Sequence, residues 1–208
     1  ANTLTVSQAL CIVTSMMNGL AFLHEESKSS IDGDIYKPTI VHRDFKSRNV
    51  LLQKGLIACI ADFGLAMRCE NGRTPADDHG QVGTRRYMSP EVLEGATEFS
   101  ALAFRAIDIY AAALVIWEVL SRIRIDPDVP LPEYKLPYEA EVGAHPTLGE
   151  MRETVAVRKL RPITPAAVRA HKVGAVMCKT MEEMWEMEPD GRITAGCCLE
   201  RMMAIAKT

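Results

Sequence analysis

The chain has 208 residues, of which 48% are hydrophobic and 25% are charged, and its formal net charge is −3. This length allows one sizeable hydrophobic core or at most two small ones. Such a small negative charge favours neither nucleic acid nor an anionic membrane surface as a partner.

The apolar segments predict neither a targeting signal nor a membrane span. The first begins at Leu10 and is soon interrupted by Thr14, Ser15 and Asn18. The most apolar run, 109–117, is closed by charged residues and is too short to cross a bilayer. We therefore expect the chain as given to be soluble.

The six cysteines do not have the spacing of a disulfide framework. There is no Cys-x-x-Cys and no pair of histidines at metal-ligand spacing, so zinc is not expected. Cys11, Cys59 and Cys178 lie in apolar settings, and we expect them to be small buried thiols. This usage fits a reducing, cytosolic environment.

The predicted elements begin with a long helix. Thr5 and Gln8 fit a capping box, and apolar residues then recur at helical spacing up to His24. The polar stretch 25–38 predicts a surface loop. The short apolar runs 50–52 and 59–61 predict a small β-hairpin.

The second half predicts mostly helix. Residues 68–81 have turn-forming composition and predict a mobile loop, whereas 106–121 predict a helix that is apolar on all sides and therefore buried. Asp108 near its start would be a buried carboxylate favoured by the helix dipole. The proline-rich insert 122–146 predicts an irregular connection, and helices are predicted at 148–157, 173–187 and 194–206. The fold class is mainly α with a small β-hairpin element.

One polar loop stands out between the first helix and the hairpin. Within 41–52, Asp44 and Asn49 fit the pattern His-Arg-Asp-x-x-x-x-Asn, and Asp62-Phe63-Gly64 and Ser89-Pro90-Glu91 follow in order. Taken alone, the first cluster could be a solvated polar turn. Three linked motifs in this order instead indicate phosphoryl transfer.

These residues resemble the large, C-terminal lobe of a protein kinase, over the whole chain. The resemblance implies a catalytic loop at 41–52 and an activation segment at 62–91, with ATP and Mg²⁺ (Mn²⁺ as an alternative) as cofactors. It implies that Asp44 accepts the proton of the substrate hydroxyl and that Lys46 reaches the γ-phosphate. Asn49 and Asp62 would hold the metal.

The resemblance also assigns supporting roles. Leu51 would form the floor of the adenine pocket, and Lys46, Asn49 and Asp62 would share in holding the nucleotide. His42 and Phe63 would stack between the loop and the buried helix, with Asp108 as their hydrogen-bond anchor. Glu91 and Arg192 would form a buried ion pair.

Two features narrow the substrate class. Lys46 is typical of serine/threonine kinases, and Thr84 resembles the threonine whose hydroxyl bridges the catalytic aspartate and lysine in those enzymes. Arg43 resembles the arginine that meets a phosphorylated activation loop.

Longer strings at 42–52, 58–66, 79–88 and 91–96 resemble type II receptors of the TGF-β superfamily, most closely the activin type II receptors. This implies a single-pass membrane protein whose kinase lies on the cytoplasmic side of the plasma membrane. It also implies a receptor oligomer and a type I receptor as the substrate. The chain would touch the membrane only through an upstream segment that is absent here.

The sequence begins just before the first helix of the large lobe, so the N-terminal lobe is absent. Neither a Gly-rich loop nor a strand lysine with its glutamate partner precedes that helix. We therefore expect these 208 residues alone to be essentially inactive. The alternative function is a pseudokinase or a truncated receptor fragment that acts as a binding or competitor module.

Overall fold

The computed structural model describes residues 3–28, 35–75, 82–96 and 100–207. Longer helices form most of it, with single-turn helices between them. The α-helices are α1 (Val6–His24), α2 (Pro90–Leu93), α3 (Ala101–Ser121), α4 (Glu139–Val142), α5 (Leu148–Arg152), α6 (Ala166–Ala170), α7 (Lys172–Met184) and α8 (Ala195–Ile205). A π-helical turn, Glu153–Val157, continues α5.

Six short strands form two-stranded antiparallel sheets within the described residues. They are β1 (Ser27–Lys28), β2 (Ile35–Lys37), β3 (Thr39–Val41), β4 (Val50–Leu52), β5 (Ala58–Ile60) and β6 (Met67–Cys69). The β4–β5 hairpin, with Leu51 opposite Cys59, confirms the sequence prediction. The mainly α fold class is confirmed as well.

The other two sheets correct the loop predictions. Strands β1 and β2 pair within the segment predicted as a loop at 25–38, and residues 29–34 of that segment lie outside the described residues. Strand β6 pairs with β3 and occupies the start of the loop predicted at 68–81. Residues 76–81 of that loop also lie outside the described residues. Strands of two or three residues are too short to show the alternation of apolar and polar residues by which a strand is recognised in a sequence.

Helix α1 confirms its predicted start. Thr5 and Gln8 form a reciprocal capping box, which satisfies two main-chain amides that the first turn leaves without helical partners. The helix is long and apolar enough to span a membrane by composition alone. Its apolar side is instead buried against α8, α3 and β5. The apolar content of α1 is therefore explained by core packing.

Helix α3 is the central helix of the core, as its all-round apolarity predicts. It begins at Ala101, five residues before the predicted start, where the Ser100 hydroxyl accepts from the Ala103 amide. Asp108 is thus not in the first turn, and the prediction that the helix dipole favours it is wrong. Its charge is stabilised by other groups, described below.

The remaining helix predictions differ from the structure mainly in where the helices begin and end. A short helix, α4, interrupts the insert that was predicted to be wholly irregular. The helix predicted at 148–157 is α5 with its π-helical turn, and the helix at 173–187 is α7, which ends at Met184. Thr194 caps α8.

Apolar burial divides into two clusters. The large one joins α1, α3, α7 and α8 to the hairpin and to the end of the activation segment. The small one lies where β3 and β6 meet the start of α3, and it consists of Val41, Met67, Cys69, Ala101 and Phe104. The catalytic loop leaves β3 next to this small cluster.

The expected burial of cysteines is right for Cys178 and wrong for two others. Cys11 and Cys59 are exposed. Both stand among apolar neighbours in sequence, but Cys11 lies on the outer side of α1 and Cys59 on a half-exposed strand.

Candidate active site

The centre of the candidate active site is a triangle of three side chains. Asp44 Oδ2 lies 2.6 Å from Lys46 Nζ. The Thr84 hydroxyl donates to Asp44 Oδ1 at 2.7 Å and accepts from Lys46 Nζ at 2.8 Å. The Thr84 amide also donates to Asp44 Oδ1, at 2.9 Å. The activation segment is thereby bonded to the catalytic loop through one carboxylate, and charge-assisted bonds of this kind are the strong ones.

Asp108 holds the catalytic loop from below. Its Oδ2 accepts from the His42 amide at 2.7 Å, and its Oδ1 accepts from the Arg43 amide at 2.9 Å. His24 Nε2 lies 3.0 Å from Oδ2. The carboxylate is 1% exposed, so these three donors replace the water it has lost. They also fix Arg43 in the left-handed region, at φ 67°.

His42 joins the loop to the Asp62-Phe63-Gly64 segment. The Asp44 amide donates to His42 Nδ1 at 3.3 Å, so the ring proton is on Nε2, which donates to the Ala61 carbonyl at 2.9 Å. The His42 and Phe63 rings are 5.4 Å apart between centroids. The structure therefore brings together the two rings that the resemblance paired.

Asn49 and Asp62 provide the hard oxygen ligands that magnesium takes. Asn49 is buried, and its Nδ2 donates to the Asp44 carbonyl at 2.9 Å, which leaves Oδ1 as the atom for a cation. Asp62 is exposed, and its carboxylate accepts from the Gly64 amide at 3.3 Å. The Ala61 amide donates to the Asn49 carbonyl at 2.8 Å and ties the two segments together.

These two residues fit a magnesium ion that completes its shell with phosphate and water oxygens. In the described part of the chain, no group of three or more His, Cys, Asp or Glu side chains is placed to hold a metal by itself. Leu51, the predicted floor of the adenine pocket, is 55% exposed on β4.

Glu91 and Arg192 form a two-pronged ion pair. The two guanidinium nitrogens donate to the two carboxylate oxygens at 2.8 and 2.7 Å. Arg192 also donates to the carbonyls of Ala106, Glu186 and Met187. The pair thus connects the end of the activation segment to α3 and to the turn before α8.

A second polar network at this site was missed by the sequence analysis. Glu118, buried in α3, accepts from the Tyr87 hydroxyl at 2.6 Å and from the Tyr134 hydroxyl. The Tyr87 hydroxyl is also 3.1 Å from Ser47 Oγ. Burial raises the pKa of Glu118, and the two tyrosine hydroxyls oppose that rise. The available signal was a single carboxylate inside an apolar helix, which must have polar partners.

Comparisons with known proteins agree with this geometry. The family model described as "Protein kinase domain" matches residues 1–203. The chain is 48% identical over 207 residues to activin receptor type-2A of Gallus gallus, covering 100% of this chain and 40% of the receptor. It is 48% identical to the Homo sapiens protein of that name, over 97% of this chain and 39% of the receptor. Activin receptor type-2B of Xenopus laevis is 49% identical, over 96% of this chain and 39% of the receptor.

The chain thus spans about two fifths of the length of the curated relatives it matches. The family model covers nearly all of it, and Asp44, Lys46 and Thr84 meet at one site. The chain belongs to the protein kinase domain family.

Proposed function

We propose that this chain is the catalytic-loop half of a receptor serine/threonine kinase that transfers the γ-phosphoryl group of ATP to a serine or threonine hydroxyl. The observation that carries the proposal is the triangle of Asp44, Lys46 and Thr84. In the serine/threonine kinases that the sequence resembles, a lysine and a threonine hydroxyl commonly meet at the catalytic aspartate, and this arrangement supports the proposal.

The proposed roles are those that the resemblance implies, and the contacts at the site support them. Asp44 accepts the proton of the substrate hydroxyl and aims its oxygen at the γ-phosphorus. Lys46 is a point charge beside Asp44 that balances the charge of the transferred phosphoryl group. Asn49 and Asp62 would hold magnesium, which neutralises phosphate charge when bound.

At the level of the whole protein, the similarity to activin receptors supports a receptor kinase in TGF-β/activin-type signalling. We propose a type I receptor as the protein substrate within a receptor oligomer. The kinase would then lie on the cytoplasmic side of the plasma membrane, attached through a membrane span outside this chain.

The proposal is tested by Asp44→Asn in the full-length protein that contains this chain. The amide keeps the size of the side chain but is a much weaker base, so we expect transfer to fall by about 10²- to 10⁴-fold. Phosphate incorporation into the cytoplasmic region of a type I receptor measures it. Asp128→Asn, the same change at an exposed carboxylate in the insert, is the matched control and should transfer at the unaltered rate.

Near-normal turnover by Asp44→Asn would refute the role of Asp44. If the unaltered protein binds the type I receptor region but transfers no phosphate to it, the chain is instead a binding module, which is the alternative function.

A further inference from the structure

The insert (122–146) is fastened to the activation segment and to α3 at separate points. Arg86 donates to the Pro137 carbonyl at 2.7 Å and to the Gly143 and Ala144 carbonyls at 2.7 and 2.9 Å. The Tyr138 hydroxyl is 2.7 Å from the Tyr110 hydroxyl on α3. Tyr134 is the third point, and it reaches Glu118.

The Tyr134 contact differs from the others because it leads into the catalytic loop. The ionised Glu118 carboxylate can only accept, so the single hydroxyl proton of Tyr87 is donated to it at 2.6 Å. Ser47 is then the donor to the Tyr87 oxygen, at 3.1 Å. The order of donation is Ser47 to Tyr87 to Glu118, with Tyr134 donating to the other oxygen of the same carboxylate.

Two members of this relay, Ser47 and Tyr87, adjoin the active-site triangle. Ser47 directly follows Lys46, and Tyr87 ends the single helical turn Arg85–Tyr87 that follows Thr84. Tyr87 also lines a pocket that reaches Asp44 and Thr84. Moving Tyr87 would therefore change the wall of the pocket that also contains Asp44 and Thr84, where the proposed function places the substrate hydroxyl.

We propose that Tyr134 is a positioning residue for the protein substrate. Its hydroxyl is the second donor to the Glu118 carboxylate, and Glu118 holds Tyr87, and through it Ser47, in place beside Thr84 and Lys46. The inference rests on the proposed function, because it concerns the site at which the substrate hydroxyl is phosphorylated. Tyr134 need not touch the reacting atoms.

The groups around Glu118 provide a second readout, the pH dependence of activity. A general loosening of the fold would not shift it. The groups that face it are the hydroxyls of Tyr134, Tyr87 and Ser47 and the Arg86 guanidinium, all of which lower its pKa against the rise caused by burial. Without the Tyr134 hydroxyl, the pKa of Glu118 rises further. Protonation of Glu118 would then disrupt the relay at a higher pH than in the unaltered protein.

The test compares Tyr134→Phe with Tyr138→Phe in the full-length protein. Both remove one hydroxyl from the insert, and Arg86 holds the insert in both. For Tyr134→Phe we expect KM for the protein substrate to rise about three- to tenfold, the net effect of losing one ordinary hydrogen bond, with KM for ATP unchanged. The acidic limb of kcat/KM should also move to higher pH. Tyr138→Phe should show neither effect.

Hydrogen exchange separates this inference from the proposed function. The amides of 84–88 should exchange faster in Tyr134→Phe than in Tyr138→Phe, whether or not the protein transfers phosphate. Equal exchange in the two variants, or an equal rise of both KM values, overturns the positioning role. Absence of transfer by the unaltered protein overturns only the proposed function.

Discussion

Gly83 is the residue at which main-chain conformation and catalytic geometry depend on each other most closely. Its φ is +102°, and a Cβ placed there would lie 2.7 Å from the Arg43 carbonyl oxygen. The next residue is Thr84, whose amide and hydroxyl both bond Asp44. Any side chain at 83 must therefore shift either Thr84 or the catalytic loop.

Gly83→Ala should consequently reduce phosphoryl transfer by at least about tenfold and destabilise the fold by about 2 kcal/mol, from strain plus the clash. Gly95→Ala is the matched control: its φ is +87°, but a Cβ there meets nothing within 4 Å. It should cost about 1 kcal/mol and leave transfer unchanged. Urea unfolding and initial transfer rates measure the two effects, and equal transfer by both variants would contradict this account.

At the residue scale, the sequence predicted the side chains that stand at fixed offsets in a motif. Asp44, Lys46 and Thr84 meet as the motifs imply. The bond of Tyr134 to Glu118 was not predictable, because it joins α3 to an irregular segment of the insert. An irregular segment has no sequence periodicity from which the position of a tyrosine hydroxyl in the fold can be predicted.

The long helices and the hairpin of strands close in sequence were predictable, whereas the strands that pair across the fold were not. Helices α1 and α3 carry many turns of apolar patterning, and both were found. Strands β3 and β6 have three residues each and are far apart in the sequence, with Thr39 paired to Cys69. Their pairing therefore depends on the tertiary fold and not on a local sequence pattern. The early start of α3 depends on Ser100, whose capping role lies outside the apolar run.

The Glu91–Arg192 pair is the main polar connection between α2 and the turn before α8. The Arg192 side chain has 0% exposure and that of Glu91 has 17%. Glu91→Gln should leave the guanidinium without a buried counter-charge and cost about 3 kcal/mol of unfolding free energy. Glu182→Gln removes the partner of Arg169 in a pair with 39% and 49% exposure, and it should cost less than about 1 kcal/mol.

Urea denaturation of the two variants compares these costs directly. If the two substitutions lower the free energy of unfolding equally, burial does not decide how much an ion pair stabilises this protein.

On the scale of the whole molecule, the two apolar clusters suggest parts of unequal stability. The small cluster has five buried residues and adjoins the catalytic loop, whereas the large one contains most of the buried side chains. A region with less buried apolar surface opens at lower free energy. The catalytic loop is thus attached to a firm helical core on one side and to a weaker cluster on the other.

Cysteine labelling tests this division. Burial raises the pKa of Cys69, of Cys178 and, to about 12, of Cys198, so their thiols should react only when their surroundings open. Cys69 belongs to the small cluster and the other two to the large one. In a urea series with iodoacetamide, we expect Cys69 to be labelled at lower urea than Cys178 and Cys198.

Cys11 serves as the internal control, because its thiol is already exposed and its labelling should not depend on unfolding by urea. Simultaneous labelling of the three buried cysteines, read by mass spectrometry of the peptides, would show that the clusters unfold as one unit.

The bonds at Asp44 limit the direction from which a substrate hydroxyl can approach the carboxylate. A carboxylate offers about four lone-pair positions. Among the described residues, the Thr84 amide and hydroxyl take both positions on Oδ1, and Lys46 takes one on Oδ2. One position on Oδ2 is left, so a substrate hydroxyl would have a single direction of approach, and the bonds already present exclude the others.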